Sequence, residues 1–169
     1  ESIESEDEYA DSASKVVKDA NTMILISLAL GIHDQDNKYK AAAPAMIKAC
    51  QELAAAKGYS AAKKGVAAVK AATSSKGDPS SLKWTEVAEF DALMKQVPLI
   101  NTRVKRYVRG KRFKSEAEKS VGQAAVLAII AQGTMGSVAK TKAPDEADKW
   151  YAFCEEMRDA SVALNASIH

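Results

Sequence analysis

Apolar residues recur along most of the chain at the three- and four-residue steps of an amphipathic helix. Residues 13–28 carry the first such stripe, and Gly31 offers a stop after it. Ser5 and Glu8 have the spacing of a capping box, in which each side chain bonds a free backbone amide of the first turn. The pattern predicts a first helix from about residue 5 to Ile32.

Two more apolar stripes follow the polar loop at residues 34–38. One contains Cys50 and ends at Gly58, and the next begins at Ser60. The pattern allows either two helices or one kinked helix. The segment TSSKGDPSS at residues 73–81 combines glycine, proline and several serines, and it therefore predicts a surface connection.

A helical period then runs from Trp84 to Tyr107 and crosses Pro98. Proline lacks the amide hydrogen and clashes with the preceding turn, so we expect a kink or break at residues 96 and 97.

A second capping-box spacing, Ser115 with Glu118, precedes the next apolar stretch. The glycines of that stretch weaken a helix, and tight packing against a neighbour is the expected reason for them. They are Gly122, Gly133 and Gly136.

The last stripe opens after Pro144 and runs to the end of the sequence. No segment alternates apolar and polar residues as a half-buried strand does. We therefore predict an all-α fold, an up-and-down four-helix bundle with an extra short or kinked helix segment. A length of 169 residues is typical of one domain, and the prediction is a single helical-bundle domain over residues 1–169.

Composition narrows the class of protein. Hydrophobic residues make up 47% and charged residues 27% of the chain, and the net charge is +2. These values predict a folded globular chain with no nucleic-acid partner, and the apolar runs are too short for a membrane span. The sequence begins at Glu1 without a methionine, so we expect that an N-terminal segment was removed, a lost export signal being one explanation.

Signatures of common enzymes are absent: there is no phosphate-binding glycine loop, HExxH, GxSxG or EF-hand pattern. Only His33 and His169 titrate near neutral pH without a large shift. His33 follows a helix end, where a protonated imidazole is favoured, and it is first interpreted as a cap and second as a metal or cofactor ligand. His169 is the terminal residue, and it is first interpreted as part of a frayed chain end and second as a loosely held metal or cofactor ligand.

Cys50 and Cys154 are the two cysteines, and both lie on apolar stripes. The simplest interpretation is two buried thiols that pack as small hydrophobic groups. A disulfide is the alternative, and it requires that the two α-carbons lie close together.

The sharpest local charge feature is a run of seven cations in residues 103–114, with two aromatic residues between them. It includes Arg103, Arg106, Arg109, Lys111 and Arg112. Such a cluster binds phosphates or an acidic partner. Alternatively, the acidic N-terminal segment pairs with it inside the fold, or it is simply solvated.

Three segments, LGIHDQDN at 30–37, MKQVPLINTRVKR at 94–106 and WYAFCEEMRDASVALNASIH at 150–169, resemble exported cytochrome c′-like bundle proteins of planctomycete type. The resemblance implies an up-and-down four-helix bundle, export, with a periplasmic location, and a pocket where cytochromes of the c′ type carry haem. The chain departs from that pattern because it has no CxxCH, so covalent c-type haem cannot form.

Three hypotheses follow from these features. The leading one is a non-catalytic exported bundle protein without a cofactor, which acts by binding an unknown protein or small ligand. The second is a redox protein that binds b-type haem or a metal through His33 or His169. The third is an anion-binding adaptor that uses the basic cluster at 103–114. The oligomeric state is not predicted.

Overall fold

All regular secondary structure in the part of the chain that the structure describes is helical. The structure is a computed structural model that describes residues 4–110 and 113–168, and no β-strand occurs among them. The helices are α1 Glu6–Ile32, α2 Ala43–Ala55, α3 Tyr59–Ala72, α4 Phe90–Val108, α5 Phe113–Glu116, α6 Glu118–Thr134 and α7 Ala147–Ile168. The all-α prediction is confirmed. None of the described helices has both the length and the apolar character that a membrane crossing needs.

The chain divides into two compact units, Glu1–Ala92 and Leu93–His169. The first unit contains α1, α2 and α3, and the second contains most of α4 together with α5, α6 and α7. The single domain over residues 1–169 stays a prediction.

The core of the first unit forms where α1 packs along α2. Leu28 and Ile24 share a buried cluster with Ile47 and Cys50, and nearer the start of α1 a second cluster holds Ala20, Leu53 and Ala62. Residues later in α2 therefore contact residues earlier in α1, so the two helices are antiparallel. The helix α3 packs on α2, whereas α1 and α3 make few contacts with each other.

The N-terminus of α1 forms as its sequence predicts. The Ser5 hydroxyl accepts a hydrogen bond from the Glu8 amide at 3.2 Å. The Glu8 carboxylate accepts one in return from the amide of Glu4 at 3.1 Å, one residue earlier than in the standard capping box. The second and third stripes form two helices rather than one kinked helix, because Gly58 adopts a φ of 81° between them.

The connection before α4 differs from the prediction. The helical period was expected from Trp84, but α4 begins at Phe90. The preceding segment packs on the core through Leu82, Val87 and Ala88. Its backbone bonds side chains of the helices: the Gln51 amide group donates to the Val87 carbonyl at 3.0 Å. These bonds replace the ones that a helix would make internally.

A glycine allows close helix packing in the first unit. A Cβ at Gly65 in α3 would lie 3.2 Å from the Leu53 α-carbon of α2. By contrast, a Cβ at Gly122 or Gly136 would meet no atom within 4 Å, so tight packing at these two positions was a wrong prediction.

In the second unit, α6 and α7 form an antiparallel pair. The Trp150 indole donates to the carbonyls of Thr134 and Met135, both at 3.1 Å, and so caps the end of α6. At the opposite end, the Asn165 side chain donates to the Val121 carbonyl at 3.0 Å. Hydrogen bonds at both ends therefore fix the register of the pair.

Two features of α4 to α6 differ from the prediction: α4 has no break before Pro98, and Ser115 is not the N-cap of α6. The helix α4 continues through Pro98 without a break, and the Pro98 carbonyl accepts a bond from the Thr102 hydroxyl at 2.8 Å. Ser115 lies within α5, and α6 begins after Ala117, which makes no side-chain cap. The N-cap of α6 is therefore Ala117 and not Ser115, which the sequence predicts.

Candidate functional site

A groove of about 840 Å³ lies between α1 and α3, with residues of α2 among its lining. It exists because α1 and α3 both pack on α2 but scarcely on each other. Its volume is within the range of ligand-binding pockets. Its apolar lining consists of Val16, Ala20, Met23, Cys50, Leu53, Val66 and Val69.

The groove has a charged rim, and most of that rim belongs to α1. Glu8, Asp11, Lys15 and Asp19 recur at three- and four-residue steps, so they lie along one side of the helix, and Glu4 precedes them. All five are exposed at the surface. The opposite wall contributes a single charged residue, Lys70 of α3. The rim therefore carries more negative than positive charge.

One end of the groove is fixed by a bond between α3 and the start of α1. The Tyr59 hydroxyl donates to the Glu4 carbonyl at 2.8 Å, and it accepts a bond from the Lys63 ammonium at 3.2 Å. The Lys63 nitrogen also lies 5.4 Å from the centre of the Tyr59 ring, in cation–π range. This contact holds together the ends of two helices that barely touch elsewhere.

Cys50 supplies the most reactive group in the lining, but its thiol is buried. Burial raises the pKa of Cys50 from 9.0 to about 11. The thiol therefore stays protonated at neutral pH, and the thiolate is the form that attacks electrophiles or binds soft metals. Cys50 is therefore part of the apolar lining of the groove.

Cys154 is in a similar state in the second unit. Both cysteines are free and buried. Burial raises the pKa of Cys154, and a hydrogen bond with the Thr134 side chain partly offsets that rise.

His33 is the residue at the C-cap position of α1. It is exposed, its Nδ1 accepts a hydrogen bond from the Gln35 amide at 3.1 Å, and its carbonyl accepts one from the Lys40 ammonium at 2.6 Å. Within residues 4–110 and 113–168, no three His, Cys, Asp or Glu side chains come together to hold a metal. His169 lies outside the described residues.

The groove lining is a poor match to a b-type haem site. Such sites rely on axial ligands, most often histidine, that point into an apolar pocket. Among the described residues, the lining supplies one thioether, Met23, and the protonated thiol of Cys50, and it contains no histidine. Haem or metal binding through His33 or His169 stays a prediction.

The basic cluster is described only in part. Arg103 and Arg106 are exposed on the last turns of α4, and Arg109 is exposed just after its end. Cations are favoured at this end of a helix, since the dipole is negative there. Lys111 and Arg112 lie outside the described residues. Anion binding by the cluster stays a prediction.

Sequence reasoning missed the groove. Its floor residues belong to the apolar stripes that predict the helices, and the gap between α1 and α3 depends on how three helices pack. The one signal in the sequence is the recurrence of charge along one side of α1 beside an apolar stripe. Comparisons of the chain with protein-family models, curated proteins and solved structures give no match.

Proposed function

We propose that this protein is a non-catalytic binding protein and that its binding site is the groove between α1 and α3. The proposal includes export and a four-helix, cytochrome c′-like arrangement without covalent haem, both of which rest on the resemblance of three sequence segments. The ligand has an apolar surface that enters the groove and a polar side that faces the charged rim.

The observation that carries the proposal is the groove itself. Half-buried apolar side chains such as Val16, Val66 and Val69 line a volume of about 840 Å³. Apolar surface left partly in water gains free energy when a ligand covers it, about 25 cal/mol for each Å² removed from water. The protonated Cys50 thiol favours binding over chemistry at this site.

The test is a titration with Nile red, a neutral dye whose fluorescence rises in apolar surroundings. Val66→Phe places a larger side chain in the groove, and we expect it to weaken dye binding at least about tenfold, since it competes with the dye for the same volume. Val162→Phe is the matched control, because Val162 is 54% exposed on α7 and does not line the groove. Equal dye binding by both variants and the unchanged protein would refute the proposal.

An absorption spectrum of protein purified from its native source separates this function from a redox role. A Soret band that His33→Ala removes would favour haem binding through His33. A spectrum without that band, together with dye binding that Val66→Phe weakens, is the result that the groove proposal predicts.

A further inference from the structure

The groove lies between two helices that run in the same direction, an arrangement on which a further helix can pack. In the first unit, α2 runs antiparallel to both of its neighbours, so α1 and α3 run in the same direction beside a shared trough. Helices pack with about 8 to 10 Å between their axes, and their side chains enter the grooves of the partner. A helix placed between α1 and α3 would complete an arrangement of two packed layers with two helices in each.

The length of the groove also suits a helix. Along α1, its lining extends from Glu4 to Met23, which is about 25 to 30 Å at the helical rise. A compact small molecule would contact only part of that length. A helix of about 18 residues would run along the whole α1 side of the lining, and its contacts with α3 would fall between Val66 and Lys70.

The charge of the rim indicates the chemistry of this helix. The α1 side carries four carboxylates, of Glu4, Glu8, Asp11 and Asp19, and one ammonium, of Lys15. They recur at helical spacing, so a helix that lies alongside would meet them with its own residues at the same spacing. Lysine or arginine at those positions would face mostly carboxylates.

We infer that the groove binds a basic amphipathic helix of a partner protein, with the apolar face of that helix on Val16, Val66 and Val69 and its cations beside the α1 carboxylates. This mode is the known docking of an amphipathic helix into an apolar groove. The inference rests on the proposed function, because it names the occupant of the same site.

The probe is a synthetic peptide of about 18 lysine and leucine residues, with the leucines at helical spacing. A peptide with glutamate in place of lysine tests the charge, and a scrambled lysine–leucine peptide without an apolar face tests the shape. We expect the basic helical peptide to displace Nile red and the two other peptides to bind at least about tenfold more weakly. Its binding should weaken as salt is raised, since exposed charges are screened.

The matched protein variants are two double substitutions of exposed acids. Asp11→Asn with Asp19→Asn removes two rim carboxylates, and Glu155→Gln with Glu156→Gln removes two from α7. We expect the first pair to weaken peptide binding about three- to tenfold, a modest effect because an exposed charge pair contributes little. The second pair should change binding less than twofold, because Glu155 and Glu156 do not line the groove. Circular dichroism checks that all variants fold.

The possible results separate the helix inference from the groove proposal on which it rests. If Val66→Phe weakens dye binding but the acidic peptide binds as well as the basic one, or the two acid doubles behave alike, the helix inference is wrong and the groove remains a site. The inference is also wrong if sedimentation shows that a second copy of the chain fills the groove and excludes the peptide. If Val66→Phe leaves dye binding unchanged, the groove proposal itself fails.

Discussion

The side-chain oxygen of Asn21 accepts a hydrogen bond from the backbone amide of Glu89 at 2.7 Å, across 68 positions of the chain. Asn21 is 1% exposed, and its amide group donates to the Val17 carbonyl at 2.9 Å. Both the oxygen and the nitrogen of the Asn21 side chain therefore have a hydrogen-bond partner within the core of the first unit. It fixes the segment before α4 against α1.

Asn21→Ala should lower the free energy of unfolding by about 2 to 3 kcal/mol, because the Glu89 amide loses its acceptor and a small cavity forms. Urea denaturation followed by circular dichroism measures the change. Asn101→Ala is the control, since Asn101 is exposed on α4, and we expect a change within about 0.5 kcal/mol. Similar losses in both variants would contradict the structural role of Asn21.

The first unit places Gly31 where a side chain does not fit. An added Cβ would lie 2.5 Å from Leu82 Cδ1 and 2.7 Å from the Cβ of Ala43. Gly31→Ala should therefore destabilise the protein by about 1 to 3 kcal/mol, even though alanine favours a helix.

Gly122→Ala is the matched substitution in α6, where the added Cβ meets no atom within 4 Å. Here only the helix preference acts, and we expect stabilisation by about 0.5 to 1 kcal/mol. Thermal unfolding of the two variants should show melting temperatures that move in opposite directions. A rise in both would show that α1 and α2 do not approach as closely as described.

The buried thiol of Cys50 makes stability depend on alkaline pH. Its pKa is raised from 9.0 to about 11 in the folded protein, so the folded state binds the proton more tightly than the unfolded state. The protonated Cys50 thiol makes its full contribution to the free energy of unfolding below pH 9. This contribution, about 2 to 3 kcal/mol, is lost as the pH rises toward 11.

Cys50→Ala removes this titration, so the variant should lose less stability than the unchanged protein between pH 9 and 11. Urea unfolding at a series of pH values gives the difference in unfolding free energy between the two proteins at each pH. Other groups titrate in both proteins, so their effect cancels in this difference. Parallel curves for the two proteins would show that the Cys50 thiol is accessible to water.

Trp150 links the start of α7 to the end of α6 through its indole N–H. Trp150→Phe keeps most of the ring but removes the donor from the carbonyls of Thr134 and Met135, and we expect a loss of about 1 to 2 kcal/mol. The control is Trp84→Phe, since Trp84 is 40% exposed in the connection before α4. A loss from Trp84→Phe as large as that from Trp150→Phe would assign the effect to ring size instead of the hydrogen bond.

Features set by neighbouring residues were predictable from the sequence. The cap at Ser5 depends on two side chains three residues apart, and the apolar stripe of α1 depends on spacing alone. For this reason the start and end of α1 agree with the prediction.

Features set by distant contacts were not predictable. The segment from Trp84 to Glu89 has helical spacing, but its backbone bonds Asn21 and Gln51 on other elements. Likewise, Val16 and Val69 have the pattern of core residues, and only the packing of α1 and α3 on α2 leaves them beside a groove. Periodicity identifies an apolar face but not what covers it.

The most direct test of the groove is a map of amide chemical shifts in the ¹⁵N-labelled protein as the basic lysine–leucine peptide is added. We expect the largest shifts on residues 4–23 and 66–70, together with Cys50 and Leu53. Shifts concentrated on α6 and α7, with residues 4–23 and 66–70 unchanged, would contradict this expectation.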